Sequence, residues 1–177
     1  MILTAEVHTL TLSAIFLALG LILPFLVFQI PAIGAMLLPM HWPVFFAAYV
    51  CGGRYAALIG FLCPLLRSAL FGMPAMFPNA IAMAFELAAY GAVTGMIYHR
   101  SRTKDLKTIY LSLISGMIAG RIVWGIAETI LLSTGEAHFT FQAFLAGGFL
   151  NALPGIILQL ILLPVLVNRL RKTGHLH

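Results

Sequence analysis

Six apolar stretches, near 8–29, 41–53, 55–72, 78–99, 108–133 and 141–168, run through this chain with only short breaks between them. A helix needs about 20 apolar residues to cross the hydrocarbon of a bilayer, and most of these stretches approach that length. With 62% hydrophobic and 8% charged residues, the chain lies far from the roughly 25% charged composition of a water-soluble domain. Membrane strands would show segments of about ten residues alternating polar with apolar, and no such pattern is seen. The expected fold is an all-α membrane protein, a single domain over 1–177 with six transmembrane helices. No basic leader precedes the first stretch and no small-residue cleavage pattern follows it, so it reads as a span rather than a removed signal peptide.

The second span is expected to be short. It opens at His41-Trp42-Pro43 after the Pro- and Gly-containing stretch 31–39 and turns at Gly52-Gly53-Arg54 directly into the third, which predicts a tight helical hairpin. Seven of the ten Lys and Arg fall in two flanks, 100–107 and 169–172, and the loops at 30–40, 73–77 and 134–140 contain none. Short cytoplasmic loops carry the excess of Lys and Arg, so Arg54 and these flanks mark the cytoplasmic side and both termini are expected there. The net charge of +5 is thus accounted for by orientation, and no nucleic-acid partner is implied. Cys51 and Cys63 lie in apolar runs without a CxxC spacing and read as packing residues. Small residues four apart, Ala14/Ala18, Gly91/Gly95 and Gly116/Gly120, suit close helix contact.

Four charged residues, Arg67, Glu86, Arg121 and Glu128, fall inside the spans. Each costs about 2.5–3.5 kcal/mol at the centre of a bilayer helix on insertion scales and normally faces a cavity or a partner. Together with His41, Asn79 and Asn151 they fall in the half away from the basic flanks. Asn79, Met83, Glu86 and Tyr90 recur at helical spacing on the fourth span, as do Arg121, Trp124 or Gly125, and Glu128 on the fifth. Phe144, Gly148, Asn151 and Gly155 form a similar stripe on the sixth. A polar, aromatic and glycine-lined concavity is the expectation, with His41, Trp42, Arg67, Asn79, Glu86, Arg121, Trp124, Glu128 and Asn151 as its substrate-binding residues. The plainer alternative is that Arg67 and Arg121 pair with Glu86 and Glu128 and fix helix register only. His41 likewise reads either as an interfacial cap beside Trp42 or as an imidazole reaching into the pocket mouth, with Met40 nearby. No catalytic residue is expected: Walker A, GxSxG and HExxH patterns are missing, and the single Asp, Asp105, falls in a loop.

Four stretches carry a resemblance: 38–44 (LPMHWPV), 64–74 (PLLRSALFGMP), 84–91 (AFELAAYG) and 120–125 (GRIVWG). With the six-span architecture, they make the chain similar to the substrate-binding S components of energy-coupling factor (ECF) importers. The resemblance implies capture of a vitamin or other micronutrient from outside, in a pocket gated by the stretch 29–40, in the membrane of a bacterial cell. It also implies partners: a transmembrane coupling subunit (T component) and two ATPase subunits, with the S component toppling on the T component through small residues matched here by Ala14 and Ala18. No cofactor is implied. Two arginines in the outer half suggest a carboxylate-bearing substrate. The runner-up is haem or another tetrapyrrole, with propionates on Arg and iron on His41, the one metal role the sequence offers. Readings of another class are a self-contained channel or secondary transporter, which needs a polar path across the whole bilayer, and a structural membrane subunit.

Overall fold

The computed structural model describes residues 2–27, 30–133 and 140–173. Among them every regular element is helical: α1 (Ile2–Ile22), α2 (Pro31–Leu37), α3 (His41–Val50), α4 (Gly53–Phe71), α5 (Ile81–Arg100), α6 (Leu106–Leu132), α7 (Phe141–Leu145) and α8 (Leu153–Lys172). Among the described residues six segments are long and apolar enough to span a membrane: Glu6–Leu26, Ala32–Val50, Gly53–Phe71, Met76–Arg100, Leu106–Leu132 and Leu153–Lys172.

Two spans differ from the sequence expectation. The second is not confined to 41–53, because the stretch expected to be an outer loop is helical over Pro31–Leu37, so the span runs from Ala32 to Val50 in two pieces. Pro31 starts α2 at a position where its missing N–H costs nothing. Leu38 then ends α2 in the left-handed region, with φ 52°, and its N–H bonds the Gly34 carbonyl. Gln29, at the start of the expected gate, lies outside the described residues. The sixth span is not one helix over 141–168. Around Gly147-Gly148 the chain passes from α7 into a wider turn, Ala146–Leu150, and the spanning helix begins only at Leu153. Most of the loop at 134–140 lies outside the described residues.

The hairpin forms as expected: Gly52, at φ 90°, joins α3 to α4 in two residues. Only glycine enters that backbone region without strain. Within the bundle α3 is the central helix, and its Val44, Phe45, Ala47 and Ala48 pack with Ile59 and Cys63 of α4, Leu87 and Tyr90 of α5, Leu113 of α6 and Leu163 of α8. In lipid, packing rather than hydrophobic segregation brings helices together, so close backbone approach matters. A Cβ on Gly60 would sit 2.4 Å from the Leu87 carbonyl oxygen, and one on Gly91 would sit 2.5 Å from the Ala56 carbonyl carbon. These reciprocal contacts hold α4 against α5. The two glycines expected on α6, Gly116 and Gly120, meet Thr94 and Tyr90 of α5 in the same way. On α6, Ile118, Ile122, Ile126 and Ile130 are exposed to lipid, while Leu113, Arg121 and Glu128 are buried. The helix therefore turns its costly groups inward.

Candidate functional site

Between the start of α3, the end of α4, the start of α5 and the second half of α6 lies a cavity of about 610 Å³. It opens at the end of the bundle away from Arg54 and the basic flanks. Seven of the expected residues line it: His41, Arg67, Asn79, Glu86, Arg121, Trp124 and Glu128. The break between α2 and α3 contributes Leu38, Pro39 and Met40, and the turn after α4 contributes Met73, Pro74 and Ala75. The helical stripes on α5 and α6 thus converge on one space.

At its floor one carboxylate oxygen organises three side chains. Arg121 Nη1 donates to Glu86 Oε1 at 2.7 Å, and the Tyr90 hydroxyl donates to the same oxygen at 2.9 Å. His41 Nε2 stands 4.0 Å from it, beyond hydrogen-bond reach. The Tyr90 ring is held in turn by His41, with centroids 5.3 Å apart, and by Phe45 at 5.2 Å. Gly120 permits this assembly, since a Cβ there would meet the Tyr90 ring at 2.3 Å and the Glu86 carbonyl oxygen at 2.9 Å. Arg121 can reach Glu86 because α6 approaches α5 this closely.

Arg67 is built differently. Its Nη1 donates to the Leu21 carbonyl at 2.5 Å, and its guanidinium lies over the rings of Phe25 and Phe71, 4.8 and 5.5 Å from their centroids. Those two rings meet edge to face at 5.0 Å. The carbonyl is available because α1 gives way to a tighter turn over Leu23–Val27. Such a cradle orients a guanidinium without cancelling its charge.

The plainer alternative, that both arginines pair with glutamates, therefore holds for one of them. Among the described residues Arg121 pairs with Glu86, whereas Arg67 and Glu128 have no ion-pair partner. His41 is not a cap: it is 2% exposed, both its ring nitrogens lack hydrogen-bond partners, and the N-terminus of α3 carries no side-chain cap. One Arg121 nitrogen, Nη2, is likewise buried without a partner. Buried polar groups are nearly always satisfied, so such a cluster beside a cavity is itself a sign of a binding surface.

Two expected residues fall outside the cavity lining. Trp42 turns into the core and its indole N–H points to the Leu37 carbonyl at 3.4 Å. Asn151 is exposed at the break before α8. The stripe that placed it assumed one continuous helix, and the wider turn at Ala146–Leu150 shifts the phase. Gly147 takes its place at the cavity, with Phe144 stacked on Trp124 at 6.0 Å. The Phe25 and Phe71 cradle was not anticipated, since Phe25 carries no periodic signal and only the fold brings it to Arg67.

The family model described as "ECF transporter, substrate-specific component" matches residues 8–167. The chain belongs to this family. It is a membrane-embedded substrate-capture component, a transport subunit rather than an enzyme, and the family works with a T component and ATPase subunits. No curated protein and no solved structure matches the chain. For this S component the cavity is accordingly the candidate substrate site. Ala14 and Ala18 lie exposed on the outer side of α1.

Proposed function

We propose that this S component captures a carboxylate-bearing vitamin or related micronutrient from the extracellular side. It then delivers the guest by reorienting on the T component, driven by ATP hydrolysis in partner subunits. The observation that carries this reading is Arg67: a buried guanidinium, lining the cavity, with no carboxylate partner among the described residues. A cation held this way matches the forked geometry of a guest's carboxylate. The excess of Lys and Arg at the other end of the bundle supports cytoplasmic termini and an outward-facing mouth. Below the floor, Phe45, Leu87, Leu113 and Leu163 form an apolar layer, which speaks against a channel. The exposed small residues Ala14 and Ala18 offer a face for the T component.

The test is to purify the protein in nanodiscs, identify by mass spectrometry any compound that co-purifies, and measure its affinity for the wild type and for Arg67→Gln. Removing one charge-assisted interaction of about 1.5–3 kcal/mol predicts a loss of about tenfold or more. An unchanged affinity removes the carboxylate reading.

A specific observation favours a second guest. The unpartnered His41 ring nitrogens border the cavity with Met40 beside them, and a mostly apolar space of this volume suits a tetrapyrrole. Haem added to the protein would then give an absorbance spectrum of ligated iron that His41→Ala abolishes. A spectrum indifferent to that substitution excludes iron ligation by His41.

A further inference from the structure

Charge around the cavity does not close on itself, and what is left over has a sign at each side. Arg121 is compensated by Glu86 at 2.7 Å. That leaves Arg67, compensated by no carboxylate, and Glu128, compensated by no cation among the described residues; both are buried and both line the same cavity. The polar neighbours of Glu128 are Trp124, one turn earlier on α6, and Glu86 of α5, which carries the same sign of charge. The two residues stand apart, because Arg67 is on α4, Glu128 is on α6, and α5 packs between those helices. The α5 residues between them that face the space are Asn79, Met83 and Glu86, and the lining as a whole is mainly apolar.

A guest carrying a carboxylate alone answers Arg67 but leaves Glu128 unmatched, so the occupied site carries one net negative charge. A guest carrying a cation alone leaves Arg67 in the same position. Unpaired charges removed from water are strongly disfavoured, so the site discriminates against both. We infer that the guest is dipolar: it presents an anionic group to Arg67 and, across an apolar middle, a cationic or N–H donor group to Glu128. This deepens the capture role proposed above and rests on it. It adds a requirement on the end of the guest remote from the carboxylate.

Matched probes test it. The ω-amino acids aminohexanoate and aminooctanoate carry both groups, while hexanoate, octanoate, hexylamine and octylamine carry one each. Binding to the protein in nanodiscs is read from ligand-dependent shifts in apparent melting temperature. The expected result is that at least one ω-amino acid binds about tenfold or more tightly than the alkanoate and the alkylamine of its length, as a charge-assisted contact predicts. Glu128→Gln reduces that probe to the affinity of its alkanoate, and Arg67→Gln reduces it to that of its alkylamine. Glu128→Asp, which keeps the charge, retains a preference for the amino group, and this separates recognition from a merely structural role. Alkanoates binding as well as ω-amino acids at both lengths overturn the inference, as does an advantage that survives Glu128→Gln. In either case a co-purified guest whose affinity depends on Arg67 leaves the capture role standing. If neither co-purified guest nor any probe binds, the capture role fails and the dipolar guest fails with it.

Discussion

Arg121 and Glu86 meet at 2.7 Å inside the membrane-spanning region, and the Tyr90 hydroxyl shares the glutamate oxygen that Arg121 holds. Removing one partner of a buried pair strands the other charge, whereas removing both removes the problem. Glu86→Gln or Arg121→Met alone is expected to destabilise by about 3–5 kcal/mol, and the double variant to recover more than half of that loss. A double-mutant cycle of apparent stability in detergent checks it. Additive single effects would show that the contact carries no coupling.

Gly120 sets the spacing that lets this pair form. With a Cβ 2.3 Å from the Tyr90 ring and 2.9 Å from the Glu86 carbonyl oxygen, Gly120→Ala forces a shift of α6 and is expected to cost about 1–3 kcal/mol. Gly34, whose Cβ would meet nothing within 4 Å, is the comparison: Gly34→Ala in α2 leaves the melting temperature unchanged or slightly raised. Thermal unfolding of the two variants side by side is the measurement.

At the other end of the molecule Asp105 caps α6, accepting from the Thr108 N–H at 2.9 Å and the Thr108 hydroxyl at 2.8 Å. These bonds hold its carboxyl below the ordinary aspartate range. A carboxyl whose folded pKa is depressed stabilises above its unfolded value, about 3.9, and that contribution is lost as pH falls through the folded value. Asp105→Ala is therefore expected to lower the melting temperature at neutral pH. The gap to wild type should narrow as the medium is acidified below pH about 4. A gap independent of pH would mean that the carboxylate is not the cap.

Orientation is open to direct labelling. In a Cys51→Ala, Cys63→Ala background, Met76→Cys near the cavity mouth should react with a membrane-impermeant maleimide on intact cells. Arg102→Cys, in the basic loop, should react only after permeabilisation. The opposite pattern reverses the topology that charge distribution predicts.

Much of the lining of the candidate cavity could be read from spacing alone. Glu86 on α5 and Arg121, Trp124 and Glu128 on α6 converge because both helices run unbroken, so a period of 3.6 holds along them. Asn151 falls outside the cavity lining for the converse reason, since a wider turn at Gly147-Gly148 resets the phase before α8 begins. The gate stretch 29–40 misled in another way: its prolines and glycine signal breaks, yet Pro31 opens a helix as readily as it ends one.

What the sequence determined by itself is the solvent, the number of spans and the need for an interior home for four charges, because hydrocarbon penalises each exposed polar group irrespective of the fold. Which charges pair was decided only by the tertiary structure. An ion pair depends on a few ångströms of helix separation, fixed here by Gly120 against Tyr90. The aromatic cradle of Arg67 joins residues from α4 and the turn after α1 that no local pattern connects. That Arg67 and Glu128 have no ion-pair partner among the described residues is a property of that arrangement.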